Sequence, residues 1–279
     1  MVLLAIMVIW YLAAVWMNAP WVRDQAARAD TVLTTGDLIR QTPSLDRPVL
    51  PAPHQVAMGL WDGIAGQKVT TKRSLVWHAW VTLSATLAGF AIGSLAGILL
   101  AVGITHNRAM DLSVMPWAVA SQTVPILAIA PMVIVVFASM GVTGLMPKAV
   151  IAAWLSLFPV LVGMVKGLRT PDAMQLDPMR SWSASAAQVF WRLRLPSAMP
   201  YLFASLKVAV AAALVGTIVG ELPAGATAGL GARLLSGSYY GQTIQIWSAL
   251  FMAAGLAAVL VVVITAVERV TLRRMGLAR

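Results

Sequence analysis

The chain has 279 residues, 59% of them hydrophobic and 11% charged, where an average soluble domain carries roughly 25% charged residues. It has no cysteine, which excludes structural disulfides, thiolate metal centres and a cysteine nucleophile. The net charge of +10 has a commoner cause in basic loops facing anionic lipid than in nucleic acid, so the composition is that of an integral membrane protein.

A helix that crosses the hydrocarbon core needs about 20 mostly apolar residues. Residues 2–21 meet this, and they lack both a basic n-region and a small-x-small cleavage site, so they read as a retained helix rather than a signal peptide. Residues 23–73 are about half polar, with five Asp, seven basic residues and the run Pro48-Val49-Leu50-Pro51-Ala52-Pro53. That stretch is expected to be loop or surface helix. Further spans are expected over 75–104, 114–140 (interrupted by Pro116, Pro125 and Pro131), 149–165, 201–219 and 244–267, with a Gly-rich loop near 222–241. The fold class is therefore all-α, polytopic, with six transmembrane helices. Its parts are a first helix over 1–22, an extracytoplasmic loop over 23–74, a five-helix core over 75–267 and a basic cytoplasmic tail over 268–279. Placing both termini inside collects 11 basic residues on that side, among them Arg108, Lys166, Arg169 and the tail arginines, and leaves nine outside.

Gly89, Gly93 and Gly97 form a double G-x-x-x-G, and Gly216 with Gly220 forms another. Such spacings strip side chains from one helix face and let backbones approach. His54, His78 and His106 are scattered, so no H-E-x-x-H or clustered imidazole site exists, and His78 reads as interfacial. No paired Ser/His or His/Asp lies within the spans, which argues against an intramembrane enzyme.

The informative stretch is 170–200, between spans four and five. Thr170-Pro171 and Asp177-Pro178 each place a capping oxygen before a proline, the pattern of a helix start. Ser185-Ala186-Ala187-Gln188 is a capping-box pattern. Leu195-Pro196 is expected to end the unit, giving two short helices joined at Ser183-Ala184 and lying across the membrane face. Phe190, Trp191 and Leu193 are costly to leave in water, so the segment is either an interfacial helix on lipid or a docking element for a partner. Arg192 and Arg194 suit partner carboxylates or phospholipid phosphates equally well.

The same stretch resembles the cytoplasmic EAA loop of permease subunits of ATP-binding-cassette importers, a pattern of E-A-A, three residues, Gly, and Leu-Pro after a fixed gap. Anchored on Leu195-Pro196, the acidic position is Asp177, the two alanines are Pro178 and Met179, and the glycine is Ser183. If that turn takes a positive φ, serine in place of glycine costs up to about 1 kcal/mol. Other pieces resemble the nitrate, sulfonate and taurine branch of these importers, in collinear order over about residues 48–270. They are Leu50-Pro51-Ala52-Pro53, His78 with Thr82 and Thr86, Gln122-Thr123-Val124-Pro125, Ala130-Pro131, Phe158-Pro159, Gly167-Leu168-Arg169, Leu195 through Tyr201, Gly220-Glu221 and Gly229-Leu230-Gly231.

The resemblance implies a permease subunit in a bacterial inner membrane that moves a small solute. It pairs with a second permease copy, two ATP-binding subunits and a periplasmic or lipid-anchored solute-binding protein. It implies no catalytic residue and no bound cofactor or metal in this chain, with ATP and Mg held by the partner. The chain contains no G-x-x-x-x-G-K-[ST], so it has no P-loop of its own. On this resemblance the ATPase-docking residues are Asp177, Pro178, Ser183, Ser185, Phe190, Trp191, Arg192, Leu195 and Pro196. Gln122 and Thr123 either line the solute path or satisfy a kinked backbone. Glu221 is either a functional intramembrane acid or a hydrated interfacial one. The alternative is a secondary transporter or channel with no ATPase, for which internal repeats and midplane polar groups are expected. The solute is left open among nitrate, sulfonates, taurine and pyrimidine-type heterocycles.

Overall fold

The computed structural model describes residues 1–31, 34–222 and 226–277, and among them every regular element is helical. Five helices are long and apolar enough to cross a bilayer, and a sharply bent pair makes up to six. In chain order the helices are α1 Val2–Arg28, α2 Thr35–Gln41, α3 Pro53–Ile64, α4 Leu75–His106, α5 Arg108–Ser121, α6 Ile126–Ser139, α7 Leu145–Leu168, α8 Ala173–Ser181, α9 Ala186–Val189, α10 Leu195–Gly220, α11 Leu230–Tyr239 and α12 Thr243–Arg274.

Three expectations change. The first and last spans run further than their apolar cores, to Arg28 and Arg274, because nothing in their flanks stops a helix that water can solvate. The third span is two helices, α5 and α6, bent by 99° across Gln122–Pro125. Its prolines differ in effect. Pro116 and Pro131 are tolerated inside α5 and α6, whereas Pro125 follows the break and stands at the N-cap of α6. The Gly-rich segment contains α11. Within residues 23–73, α2 and α3 are too short to span a membrane.

The chain forms two compact units, residues 1–81 with 226–254 and residues 82–225 with 255–279. In the first, the proline run is held by side chains. Prolines 48, 51 and 53 have no N–H, so the run cannot build a ladder and its carbonyls need other donors. Buried Asn18 donates from Nδ2 to the Leu50 carbonyl (2.8 Å) and accepts the Val49 N–H (2.7 Å). Trp10 Nε1 donates to the Pro51 carbonyl (3.0 Å) and Thr243 Oγ1 to that of Pro48 (2.5 Å). His78, in the first turn of α4, is buried within the protein. Its Nδ1 accepts the Gly229 N–H (3.0 Å) and its Nε2 lies 2.9 Å from the Lys72 carbonyl, to which it donates as the neutral tautomer.

In the second unit α4, α7 and α10 meet backbone to backbone. A Cβ at Gly93 would overlap Ser156 Oγ and the Ala153 carbonyl, and one at Gly97 would lie 2.7 Å from the Leu157 carbonyl. On α10, a Cβ at Gly216 would come within 3.0 Å of Ala152 Cα and 3.1 Å of the Ile151 carbonyl. Both G-x-x-x-G faces therefore pack on α7, where apolar association has no water to drive it and depends on close van der Waals contact. Adding a methyl at Gly93 is expected to destabilise the fold by about 1–3 kcal/mol, while Gly255→Ala, where nothing lies within 4 Å, should be neutral. The fraction of each variant that stays monodisperse after heating in detergent measures the difference.

Candidate functional site

The break between α5 and α6 opens a cavity of about 710 Å³ in the second unit. Ser121, Gln122 and Val124 line it from the break, Trp154 to Gly163 from α7, and Tyr201 to Val208 from α10. α7 has 24 residues and is about 36 Å long at 1.5 Å per residue. Trp154 to Gly163 is its middle, so the irregular backbone lies at the depth of the hydrocarbon core. Non-helical backbone is tolerated there only where protein buries it or where it lines a water-filled cavity. Each N–H of the break is taken up locally: Gln122, Thr123 and Val124 donate to the carbonyls of Val119, Ala120 and Ser121 at 3.2, 3.1 and 3.4 Å. Thr123 Oγ1 donates to the Ala120 carbonyl (2.7 Å) and so serves the kinked backbone. Gln122 lines the cavity and Thr123 does not.

Glu221 is fully buried, which places it inside the protein rather than in hydrated headgroups. Thr82 Oγ1 lies 3.1 and 2.9 Å from its two carboxylate oxygens, and Lys148 Nζ lies 3.3 Å from Oε1. One turn further along, Thr86 Oγ1 and Thr217 Oγ1 are 3.0 Å apart. The network ties α4, α7 and the end of α10. None of its members lines the cavity; the nearest approach along a helix is the six residues of α7 from Lys148 to Trp154, about 9 Å. Lys148 escaped sequence reading because a lysine in the first turn of a span looks like an ordinary interfacial residue.

The 169–194 segment forms α8 and α9, two short helices in the order expected. Their starts and ends differ in detail. Asp172, not Thr170, caps α8, its carboxylate accepting the Gln175 N–H (3.0 Å). Asp177 and Pro178 lie inside α8, and Asp177 pairs with Arg180 on the exposed face (3.3 Å). Ser185 caps α9 with its expected box: its Oγ accepts the Gln188 N–H (3.3 Å) and Gln188 Oε1 accepts its N–H (2.8 Å). Leu195-Pro196 does not end the unit. Pro196 has no N–H for the Arg192 carbonyl, and the chain widens to a π-turn over Phe190–Arg194 that continues directly into α10.

Ser183 adopts φ +55°. Its N–H and that of Ala184 bond to the Arg180 and Met179 carbonyls, both at 2.9 Å, which completes a Schellman turn at the end of α8. Ser183, the position that the sequence resemblance aligns with the importer loop's glycine, therefore has a backbone that favours glycine.

Beyond the turn, Phe190 packs edge-on against His106 (5.3 Å) and Trp191 (5.2 Å). Arg194 donates to the Leu168 carbonyl at the end of α7 (3.3 Å), so it is turned inward, whereas Arg192 is exposed. Met174, Trp182 and Trp191 stand 83%, 77% and 65% exposed. Trp182 and Met174 were missed in the sequence because nothing in their spacing marks them.

Residues 93–277 match the family described as binding-protein-dependent transport system inner membrane component, and the chain belongs to that family. It is 31% identical over 184 residues (66% of this chain, 68% of the relative) to the formylaminopyrimidine transport permease protein ThiX of Halalkalibacterium halodurans. It is 30% identical over 226 residues (81% and 80%) to the riboflavin transport system permease protein RibX of Chloroflexus aurantiacus. It is also 28% identical over 227 residues (79% and 78%) to the taurine transport system permease protein TauC of Escherichia coli. The chain is thus a multi-pass inner-membrane permease of the ATP-binding-cassette importer type, in the branch indicated by its motifs.

Two stability outcomes follow from this geometry. Ser183→Gly is expected to stabilise the loop by about 1 kcal/mol, read as slower proteolysis between α8 and α9. Lys148→Met is expected to cost about 3 kcal/mol by leaving a buried carboxylate short of its cation. Lys148→Met combined with Glu221→Gln should recover a large part of that loss in the same thermal assay.

Proposed function

We propose that this chain is the membrane pathway of an importer powered by a separate ATPase and fed by a solute-binding protein, with the 169–194 loop on the cytoplasmic side and both termini there. The observation that carries the reading is the loop's exposed aromatic surface. Leaving a large apolar side chain in water costs about 1.5–3 kcal/mol, and exposed Trp182, Trp191 and Met174 are side chains of the kind that anchors interfaces. Asp177, Pro178, Ser183, Ser185, Phe190, Arg192, Leu195 and Pro196 shape and flank that surface. ATP and Mg belong to the partner subunits, two of which would face two copies of this permease.

The loop joins α7 to α10, and the cavity lies between those helices. Closure of the ATPase pair displaces α8 and α9; the unbroken run from α9 through the π-turn into α10 passes that displacement to the cavity wall as a rigid-body shift. In this scheme Gln122 contacts solute, Thr123 holds the break, and the Glu221 network keeps the far ends of the helices together while the loop ends move. The 23–74 segment faces outward, toward the binding protein.

Gentle detergent purification of the tagged chain from its native cells, followed by mass spectrometry, tests this reading. An ATP-binding subunit is expected to accompany the chain. Trp182→Ala combined with Trp191→Ala should lower that subunit's recovery about tenfold or more without altering the permease's own elution. Solute transport in liposomes by the chain alone, without ATP, would instead make it a secondary carrier.

A further inference from the structure

We propose that the cavity at the helix break passes a neutral, flat heteroaromatic solute and excludes small oxoanions. The inference rests on the importer reading above and specifies its cargo.

The lining holds no Lys, Arg, His, Asp or Glu. A desolvated anion needs a cation or converging N–H groups, and neither is present. The N–H groups of Gln122, Thr123 and Val124 are already donated to turn carbonyls, and Pro125 has none. Ile126 and Leu127, in the first turn of α6, do not line the cavity. Two lysines flank the lining without being part of it: Lys166 Nζ lies over the ring of Tyr201, 5.9 Å from its centroid, and Lys207 pairs with Glu268 at 2.5 Å. Ser121 Oγ donates to the Ala118 carbonyl and Ser205 Oγ to that of Leu202, both at 2.8 Å, so both hydroxyls are left as acceptors.

What the lining does offer is ring surface and one amide. Trp154 and Phe158 stand edge-to-face with centroids 5.6 Å apart, and Tyr201 adds a third ring. Aromatic side chains hold flat π-systems by stacking with little regard to their substituents. The exposed Gln122 amide presents a donor and an acceptor side by side, the complement of a ring nitrogen next to an amino or carbonyl group. A volume of about 710 Å³ suits an organic solute. A few-atom anion would leave most of it to water.

The absence of cysteine allows a test that needs no knowledge of the natural solute. Gln122→Cys is introduced into the importer purified with its ATPase in nanodiscs, and mass spectrometry follows labelling of this chain by a neutral benzyl and an anionic sulfonatoethyl methanethiosulfonate. Val208→Cys, also lining the cavity, serves if Gln122→Cys does not assemble. Relative to the same ratio at exposed Ser238→Cys, the benzyl reagent is expected to be favoured about tenfold, the scale of one stacking contact. Trp154→Ala should abolish that preference and Trp154→Phe should retain it. Equal or faster labelling by the sulfonate overturns the cargo class and leaves the importer reading standing. A benzyl preference that survives Trp154→Ala also overturns it, because partition into lipid then explains the rates. If no ATPase accompanies the chain, or labelling is indifferent to ATP, it is the importer reading that falls.

Discussion

Inside a bilayer an unpaired backbone or side-chain polar group has no water to turn to, and each one costs several kcal/mol. The long helices satisfy this within themselves. The departures are the informative places, because every group released from a helix there has to find a partner nearby. At Gln122–Pro125 the N–H groups fold back into tight turns and the chain bends by 99°. At Glu221 the carboxylate has Thr82 and Lys148. The first is local to the break; the second needs neighbouring helices and so depends on how α4, α7 and α10 come together.

Glycine on α4 and α10 sets that approach. With no side chains at Gly93, Gly97 and Gly216, the backbones of the outer helices lie directly on Ala152, Ala153, Ser156 and Leu157 of α7. Contact this close has a mechanical consequence. α7 and α10 are joined by the 169–194 loop and pinned near it by Arg194 on the Leu168 carbonyl, so a push on the loop acts on a stiff pair. The cavity lies along the same pair, beginning about 9 Å along α7 from Lys148 of the buried Glu221 network. One end is anchored by charge and the other is open to displacement.

The loop also carries a local strain that its packing has to outweigh. Ser183 occupies a left-handed conformation that costs a non-glycine residue about 1 kcal/mol. The Schellman hydrogen bonds and the capping box at Ser185 offset it, and the turn they define sets the exposed positions of Trp182 and Trp191. A serine there leaves the turn geometry unchanged and reduces only its margin.

Sequence alone determined the helical class, the approximate spans, the close-packed glycine faces, the order of α8 and α9 and the family likeness. These rest on local composition, periodicity and capping, which act over a few residues. It located the breakpoint of the third span only as a cluster of prolines, since Pro116, Pro125 and Pro131 look alike in a string and only Pro125 follows a true break. It placed a helix start at Asp177, where the fold starts one at Asp172. Tertiary structure decided the rest: that His78 and Glu221 are buried, that Lys148 is Glu221's cation, that α10 begins through a π-turn, and that Gln122 lies with Trp154, Phe158 and Tyr201 around one uncharged cavity. Trp154, Phe158 and Tyr201 lie 32, 36 and 79 positions from Gln122 in the chain, and nothing local couples them to it. Only the backbone contacts between α7 and α10 and the bend between α5 and α6 bring them to the same depth.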